Sequence, residues 1–385
     1  MGIDGGIFEG KNILFAAGGT GGHINPALAV AKRIRDAAPA ARIAFAGTSE
    51  KMEARLVPAA GFELLTFEIS GFQRKPSVEN MKRNIKALGQ LALSTGRVKR
   101  ILRDFQPHAA VGFGGYVSGP VIRMAHRMGV PCAIHEQNAY PGIANKALAK
   151  YADAVMLTSP EAEKYLKTKN PCIVTGLPVR ENIVTANREE ARRTLGVDAR
   201  PLVLSMGGSL GARAVNEAVA GMIALLHGGD RCFFLHATGQ YGLWVPDKLR
   251  EAGVDPDTEA TVTVREYIDN MDVCLAAADI VISRAGASSL SEIQAAGKAS
   301  ILIPSPNVAE NHQLHNAMSM AQRGAAIVVE EKDLTARRLA DEVSRLLDHP
   351  EERERLAANA KAMAVTDSAE RIIDVIANLL QSQGG

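Results

Sequence analysis

At 385 residues the chain is too long for one ordinary domain and has room for two of roughly 190 residues each. With 46% apolar and 22% charged residues it excludes a disordered chain, and a formal net charge of +2 removes any global case for nucleic acid as a partner. Cys132, Cys172, Cys232 and Cys274 lie far apart in or beside apolar runs, which suits a reducing cytosol. No run approaches the ~20 apolar residues of a membrane span, and MGIDGGIFEGKN lacks a secretory pattern.

From the N-terminus, Asn12 to Ala17 reads as a buried parallel strand running into GGTGGHINPALAVAKRIRDA, a glycine turn that opens an amphipathic helix. Such glycines let a ligand approach the backbone. The spacing loosely matches the GxGxxG of dinucleotide-binding turns. The next strand, Arg42 to Ala46, however, ends in GTSE without an acidic residue at its tip to hold a ribose. His23 and Asn25 instead place an imidazole and an amide beside the opening, where an incoming hydroxyl could lose its proton. The plainer alternative is a histidine spent on helix capping.

Strand and helix signals then alternate: Leu64 to Ile69, a long helical region reaching Arg103, Ala109 to Gly112, a helix from Gly119, and Cys132 to His135. This is the rhythm of a doubly wound parallel sheet, whose ligands sit outside the carboxyl ends of the strands. GFGGYVSGP (Gly112 to Pro120) and HEQNAYPG (His135 to Gly142) follow two such ends and are expected on the same rim as GGTGGH. Between Gly71 and Arg103, Arg74, Lys75, Lys82, Arg83, Lys86, Arg97, Lys99 and Arg100 interleave with Phe72, Met81, Ile85, Leu88, Leu91 and Leu93. That pattern fits a helix with a solvated basic back, or an interfacial patch for anionic lipid headgroups.

Asn170 to Glu181 has two prolines, a glycine and no helical period, which places the interdomain linker around Gly176 to Arg180. A second doubly wound domain opens with a strand at Leu202 to Ser205 and MGGSLGARAVNEAVAGMIALL, again a glycine turn on a helix. Cys232 to His236 and Thr261 to Val264 read as further strands, after which Ile268 and Met271 could flank a flat base or join the core. The stretch that organises this half is Ser283 to Pro304. The strand Asp279 to Ile282 enters SRAGASSLSE, where a helix opening near Ser288 offers free amides and a positive dipole end to a phosphate or diphosphate. Glu292, one turn on, would repel phosphate but suit a diol, so the combination fits a sugar nucleotide. The plainer reading is a capping box with Ser289 as N-cap and Glu292 at N3. Ile301 to Pro304 leads to Glu310, Asn311 and Gln313, the last able to bond sugar hydroxyls. His312 and His315 lack the second cluster a metal would need. Thr335 to Leu380 reads as helical throughout, with Ser368 to Leu380 packing on one domain.

Taken together, GGTGGHINPALA, GFGGYVSGP, HEQNAYPG, GLPVR, GGSLGA, SRAGASSLSE and ENHQLHNA occur in the order and spacing of the MurG family, glycosyltransferase family 28, and the resemblance spans nearly the whole chain. Ser289 stands where threonine is common in that family, and Ala299 where proline is common; neither removes a functional group. The resemblance implies an α/β GT-B fold, two Rossmann-like doubly wound parallel-sheet domains facing across a cleft. Residues 1–177 would form an acceptor and membrane-associating domain and 178–363 a UDP-N-acetylglucosamine-binding domain. Residues 364–385 would form a helix returning to the first.

It further implies inverting transfer of N-acetylglucosamine from UDP to the C4 hydroxyl of the muramic sugar of lipid I, an undecaprenyl-pyrophosphoryl-muramyl-pentapeptide, giving lipid II. The family's donor contacts fall on Thr20, Gly21, Gly22, Asn138, Arg180, Ser209, Ile268, Ala287, Ser288, Ser289, Leu290, Ser291, Glu292 and Gln313. Glu292 would hold the ribose, Ile268 the uracil, Ser209 and the Ser288 helix the diphosphate, and Gln313 with Asn138 the sugar. His23, Tyr116 and Glu136 would line the acceptor side, with His23 as the base and Glu136 as the alternative. Without a DxD-like cation site, neither a metal nor a cofactor is expected, since fixed amides can stabilise the charge on departing UDP. The long polyprenyl acceptor implies a peripheral protein on the anionic cytoplasmic face of the bacterial inner membrane. Two other functions share the fold and the donor or its kin, a UDP-N-acetylglucosamine 2-epimerase and another glycolipid synthase.

Overall fold

The computed structural model describes residues 3–69 and 94–382. The chain forms two compact units, Met1–Pro178 together with Asp367–Gly385, and Val179–Thr366. Each is built on one wholly parallel sheet with helices on both faces.

The first sheet has seven strands: β1 (Asn12–Ala16), β2 (Arg42–Gly47), β3 (Glu63–Thr66), β4 (Ala109–Gly112), β5 (Cys132–Glu136), β6 (Ala154–Leu157) and β7 (Cys172–Val174), in the order β3-β2-β1-β4-β5-β6-β7. Successive side chains leave opposite faces of a strand, so β1 feeds two cores. Ile13 and Phe15 pack with Ile24, Val30 and Ile34 of the Gly21–Ala37 helix and with Ile372, Ile376 and Leu380 of the Ser368–Gln381 helix. Leu14 and Ala16 pack on the other face with Val121 and Ile122 of the Ser118–Arg127 helix and with Val98 and Leu102. The C-terminal helix is therefore part of the first unit's core.

The second sheet has six strands: β8 (Leu202–Met206), β9 (Phe233–Ala237), β10 (Val262–Arg265), β11 (Ile280–Ser283), β12 (Ala299–Leu302) and β13 (Ile327–Val328), in the order β10-β9-β8-β11-β12-β13. Val203, Ile280, Ile282 and Ile301 meet the Arg213–Leu226 helix on one face, while Leu202, Leu204 and Met206 meet Ile293 and Met320 on the other.

Both sheets change winding direction beside their first strand, between β1 and β4 and between β8 and β11. Ligands of open α/β sheets bind at such points. The turns GGTGGH and GFGGYVSGP follow β1 and β4, and GGSLGA and SRAGASS follow β8 and β11, so all four glycine-rich turns sit at a switch point.

Three strands run where none is expected from sequence. β7 lies inside the stretch read as approaching the linker, while β6 and the two-residue β13 lie in stretches given no strand. The tail expected to be helical throughout is three helices, Ala336–Asp348, Pro350–Ala362 and Ser368–Gln381. Most of the basic amphipathic stretch lies outside the described residues; Arg97, Lys99 and Arg100 are on a described helix, residues 94–105, and are exposed.

Candidate active site

The first glycine turn closes around a residue that sequence reasoning passed over. Glu53, in the first turn of the Met52–Ala59 helix, is fully buried. Its Oε2 accepts from Gly19 N at 3.0 Å, and its Oε1 accepts from Thr48 N at 3.1 Å and Thr48 Oγ1 at 2.6 Å. A Cβ at Gly18 would lie 2.8 Å from Oε1, and one at Gly47 2.8 Å from Cγ, so both glycines leave room for the carboxylate. The Ser118 hydroxyl joins this turn to the next one: it lies 2.8 Å from the carbonyls of Ala16 and Gly114 and accepts from Gly114 N at 3.1 Å.

His23 is in the first turn of the Gly21–Ala37 helix, half-buried, with Nδ1 3.2 Å from Gly18 O and 3.1 Å from Thr20 Oγ1. Thr20 is the N-cap position and its side chain makes no capping bond. Gly114, at φ +93°, gives the imidazole its place, since a Cβ there would lie 2.9 Å from His23 Cδ2 and 3.1 Å from Nε2. Thr20, Gly21, Gly22 and His23 thus share one helix mouth. Tyr116 lays its ring edge over Gly19, but its hydroxyl is turned inward and buried. Burial first and the Glu53 carboxylate second raise its pKa, and the Thr48 hydroxyl close by, outside hydrogen-bond geometry, offsets only part. The Tyr116 hydroxyl is therefore not presented at the rim.

The loop after β5 is organised by Glu136, 1% exposed. One oxygen accepts from Asn138 N at 2.9 Å and Asn138 Nδ2 at 3.1 Å; the other accepts from Gly142 N at 3.1 Å and Asn145 Nδ2 at 2.8 Å. Burial raises its pKa, and those bonds offset part of the rise. Both oxygens are spent on folding the loop, which holds Asn138 in place and leaves the carboxylate poorly placed to take a proton from a substrate. His135 beside it is wholly buried, held by Gly176 O at 2.8 Å and stacked on Phe113, with burial lowering its pKa to about 4.

In the second unit, the helix after β11 spans Ala287–Ala296 with Gly286 as N-cap and no side-chain capping bond. The expected alternative, a capping box on Ser289, does not form: Ser289 is already the third helical residue. The opening amides of Ala287, Ser288 and Ser289 are left for an outside acceptor. Leu290 and Ser291 are buried, so their side chains support the helix from below. Glu292 takes two hydrogen bonds from Arg180, the N-cap residue of the Glu181–Thr185 helix. Burial raises the Glu292 pKa, and Arg180 opposes the rise.

Gln313, at the start of the His312–Ala321 helix, accepts on Oε1 from Ser305 N at 2.9 Å and Ala285 N at 3.3 Å, bridging the turns after β12 and β11. Two backbone donors require the oxygen there, so the amide NH2 points the other way. Glu310 and Asn311, which lead into this helix, both have left-handed backbone, φ +55° and +50°. His312 Nδ1 donates to Ala309 O at 2.7 Å, and among the described residues no group of three His, Cys, Asp or Glu is placed to hold a metal ion. Ser209 is exposed in the GGSLGA turn, between Gly208 and Gly211 at φ +94° and +83°. Ile268 is 4% exposed within the core, so its side chain is not offered to a ligand and only its main chain remains for contact with a base. Arg284, also unanticipated, fixes the turn after β11 through Ile303 O and an ion pair with Glu331.

Known proteins resemble both halves of the chain. The Glycosyltransferase family 28 N-terminal domain matches residues 13–157, and the C-terminal domain of the same family matches residues 202–372. The chain is 40% identical over 375 residues, 96% of its length and 99% of the relative's, to the UDP-N-acetylglucosamine--N-acetylmuramyl-(pentapeptide) pyrophosphoryl-undecaprenol N-acetylglucosamine transferase of Acetivibrio thermocellus. It is 43% identical over 368 residues to the protein of that name from Caldanaerobacter subterraneus subsp. tengcongensis, covering 94% and 98% of the two chains. Among solved structures it is similar to Acinetobacter baumannii MurG, with TM-score 0.78, 28% identity and coverage of 95% and 99%. A UDP-GlcNAc 2-epimerase from Neisseria meningitidis shares the fold alone, at TM-score 0.62 and 12% identity over 95% and 99% of the chains. With both of its domains matched and relatives this similar along nearly its full length, the chain belongs to glycosyltransferase family 28.

Proposed function

We propose that the protein transfers N-acetylglucosamine from UDP-N-acetylglucosamine, with inversion, to the C4 hydroxyl of the muramic sugar of an undecaprenyl-pyrophosphoryl-muramyl-pentapeptide, the lipid I to lipid II step of peptidoglycan synthesis. The observation that carries this reading is the 40% identity over 96% of the chain to a transferase of that name. The geometry supports it. In the second unit, the Ala287 helix mouth and the Ser209 turn suit a diphosphate, Glu292 a ribose diol, the main chain at Ile268 a base, and the Gln313 NH2 a sugar hydroxyl. In the first unit, Thr20, Gly21, Gly22 and Asn138 add donor contacts, and His23 takes the acceptor's proton. Glu136 shapes the loop that carries Asn138 and is not the base.

The protein works as a peripheral protein at the cytoplasmic face of the inner membrane, where its product supports wall growth, cell shape and division. Among the described residues no helix is long and apolar enough to cross a membrane. The cationic run from Arg74 to Arg100, interleaved with apolar residues, supports contact with anionic headgroups. Neutralising Arg74, Lys75, Lys82 and Arg83 is expected to weaken vesicle binding and spare activity on a short-chain acceptor; equal loss in both assays would count against the patch.

The deciding experiment supplies labelled UDP-N-acetylglucosamine with and without a lipid I analogue. Label transferred to the muramic C4 oxygen supports the reading. Formation of the manno epimer without acceptor, or transfer to diacylglycerol in its place, overturns it.

A further inference from the structure

A single peptide unit in the first glycine turn is hydrogen-bonded at both ends. Its N–H, on Gly19, donates to Glu53 Oε2 at 3.0 Å, and its C=O, on Gly18, lies 3.2 Å from His23 Nδ1. A carbonyl oxygen only accepts, so the second contact requires the proton on Nδ1, and a neutral ring then carries its lone pair on Nε2. Thr20 Oγ1, 3.1 Å from the same nitrogen, can share that proton.

We propose that Glu53 is a positioning residue for the transfer and acts on His23 through the Gly18–Gly19 peptide: carboxylate, amide and imidazole in series. In hydrolytic triads a carboxylate holds the histidine tautomer directly; here one peptide stands between them. A carboxylate on the N–H end strengthens the C=O end as an acceptor, since hydrogen bonds in a chain polarise one another. That favours Nδ1–H in the resting enzyme and stabilises the imidazolium that forms during transfer. The inference rests on the reaction proposed above and on His23 as its base. In that reaction the C4 oxygen bonds the anomeric carbon as its proton passes to His23 Nε2. The bond from that carbon to the β-phosphate oxygen breaks with its electron pair leaving on UDP, and His23 later releases the proton to solvent. Glu53 neither gains nor loses a proton.

The surroundings keep the peptide from turning over. Glu53 is wedged against Gly18 and Gly47, as described, with its second oxygen held by two donors of Thr48. On the carbonyl side, a Cβ at Gly115 would lie 2.3 Å from Gly18 O, so only glycine, here at φ +77°, lets that strand of chain pass. Both ends of the relay are therefore fixed by neighbours that take no part in it.

Glu53→Gln is the test. The glutamine oxygen is drawn to the two Thr48 donors, which turns the NH2 toward Gly19 N–H, so the relay breaks while the link to Thr48 survives. The expected result is a fall in kcat of about tenfold or more with the dissociation constant for UDP-N-acetylglucosamine unchanged within about twofold. A less stable imidazolium has a lower pKa, so the acid limb of kcat moves to lower pH by about half a unit or more. Nitrogen NMR of His23 in the full chain, assigned with His23→Gln, reads the tautomer and pKa without reference to turnover. Wild type shows Nδ1–H, and the variant shows a lowered pKa. Loss of kcat with an unmoved pKa would make Glu53 merely structural and overturn the proposal, as would unchanged kcat. If the variant does not fold, the wild-type spectrum decides alone, because an Nε2–H tautomer excludes the relay. Failure of the transfer reaction itself appears separately, as a wild-type protein with the expected tautomer and no lipid-linked product.

Discussion

Arg180 and Glu292, 112 residues apart in the chain, meet on one oxygen: Nε at 3.1 Å and Nη2 at 3.0 Å both donate to Oε1, and Oε2 takes no part in the pair. Arg180 thus holds the carboxylate in its charged form and orients it while leaving an oxygen for a diol. Hydrogen bonds to a charged group contribute about 1.5–3 kcal/mol each. Glu292→Gln is expected to raise the UDP dissociation constant about tenfold or more, and calorimetry that found no change would remove Glu292 from the site.

The same pair sets a pH dependence. Binding needs the carboxylate ionised, and burial holds its pKa above the ordinary glutamate range against the opposing charge of Arg180. UDP affinity is therefore highest where the carboxylate is ionised and falls as pH drops through that raised pKa. Arg180→Gln removes the opposing charge, raises the pKa further and shifts the fall to higher pH. A shift in the other direction would show that the ion pair is not what keeps Glu292 charged.

Glu136 is expected to matter for the fold before it matters for chemistry. Glu136→Ala leaves buried amide donors without an acceptor, at a cost of about 3 kcal/mol or more. Thermal unfolding should show that loss. A variant of wild-type stability and no turnover would instead restore Glu136 as a base.

Gly114 is a test of His23 that leaves the histidine in place. Gly114→Ala puts a methyl 2.9 Å from Cδ2 at a backbone angle, φ +93°, that side chains resist. Turnover should fall about a hundredfold as the imidazole moves, with UDP affinity unchanged. Retained turnover would mean that the ring position is not critical.

Gln313 and the departing diphosphate give two further expectations. Gln313→Glu keeps an acceptor for Ala285 N and Ser305 N but loses the NH2. UDP-N-acetylglucosamine affinity should then fall about tenfold while UDP affinity holds, and parallel losses would point to a collapsed loop instead. On the proposed mechanism fixed amides meet the leaving-group charge, so activity should persist in EDTA; complete loss with rescue by magnesium would contradict this.

The glycine turns were legible because each follows an apolar run short enough to be a buried strand, and this alone places GGTGGH, GFGGYVSGP, GGSLGA and SRAGASS at strand ends. Glu53 was not: in MEARLVPA it reads as an ordinary acid near a helix start, and only the parallel pairing of β1 with β2 brings it under Gly19. Glu136 stands out in the sequence but its loop-folding role does not, because its donors are Asn138 and Gly142 of the loop and Asn145 of the helix that follows. Ser289 and Glu292 have capping-box spacing, yet Gly286 starts the helix three residues earlier and leaves the spacing without that meaning. β7 is a three-residue edge strand beside a proline and β13 only two residues long, too short for any periodicity to show.

The Ser368–Gln381 helix fills the hydrophobic face behind β1 with Ile372, Ile376 and Leu380. On the ribosome, then, the half of the protein made first is the half completed last. Its apolar surface waits, unsealed, while the whole second unit is synthesised, and a chain stopped short at Thr366 would carry that unsealed surface permanently.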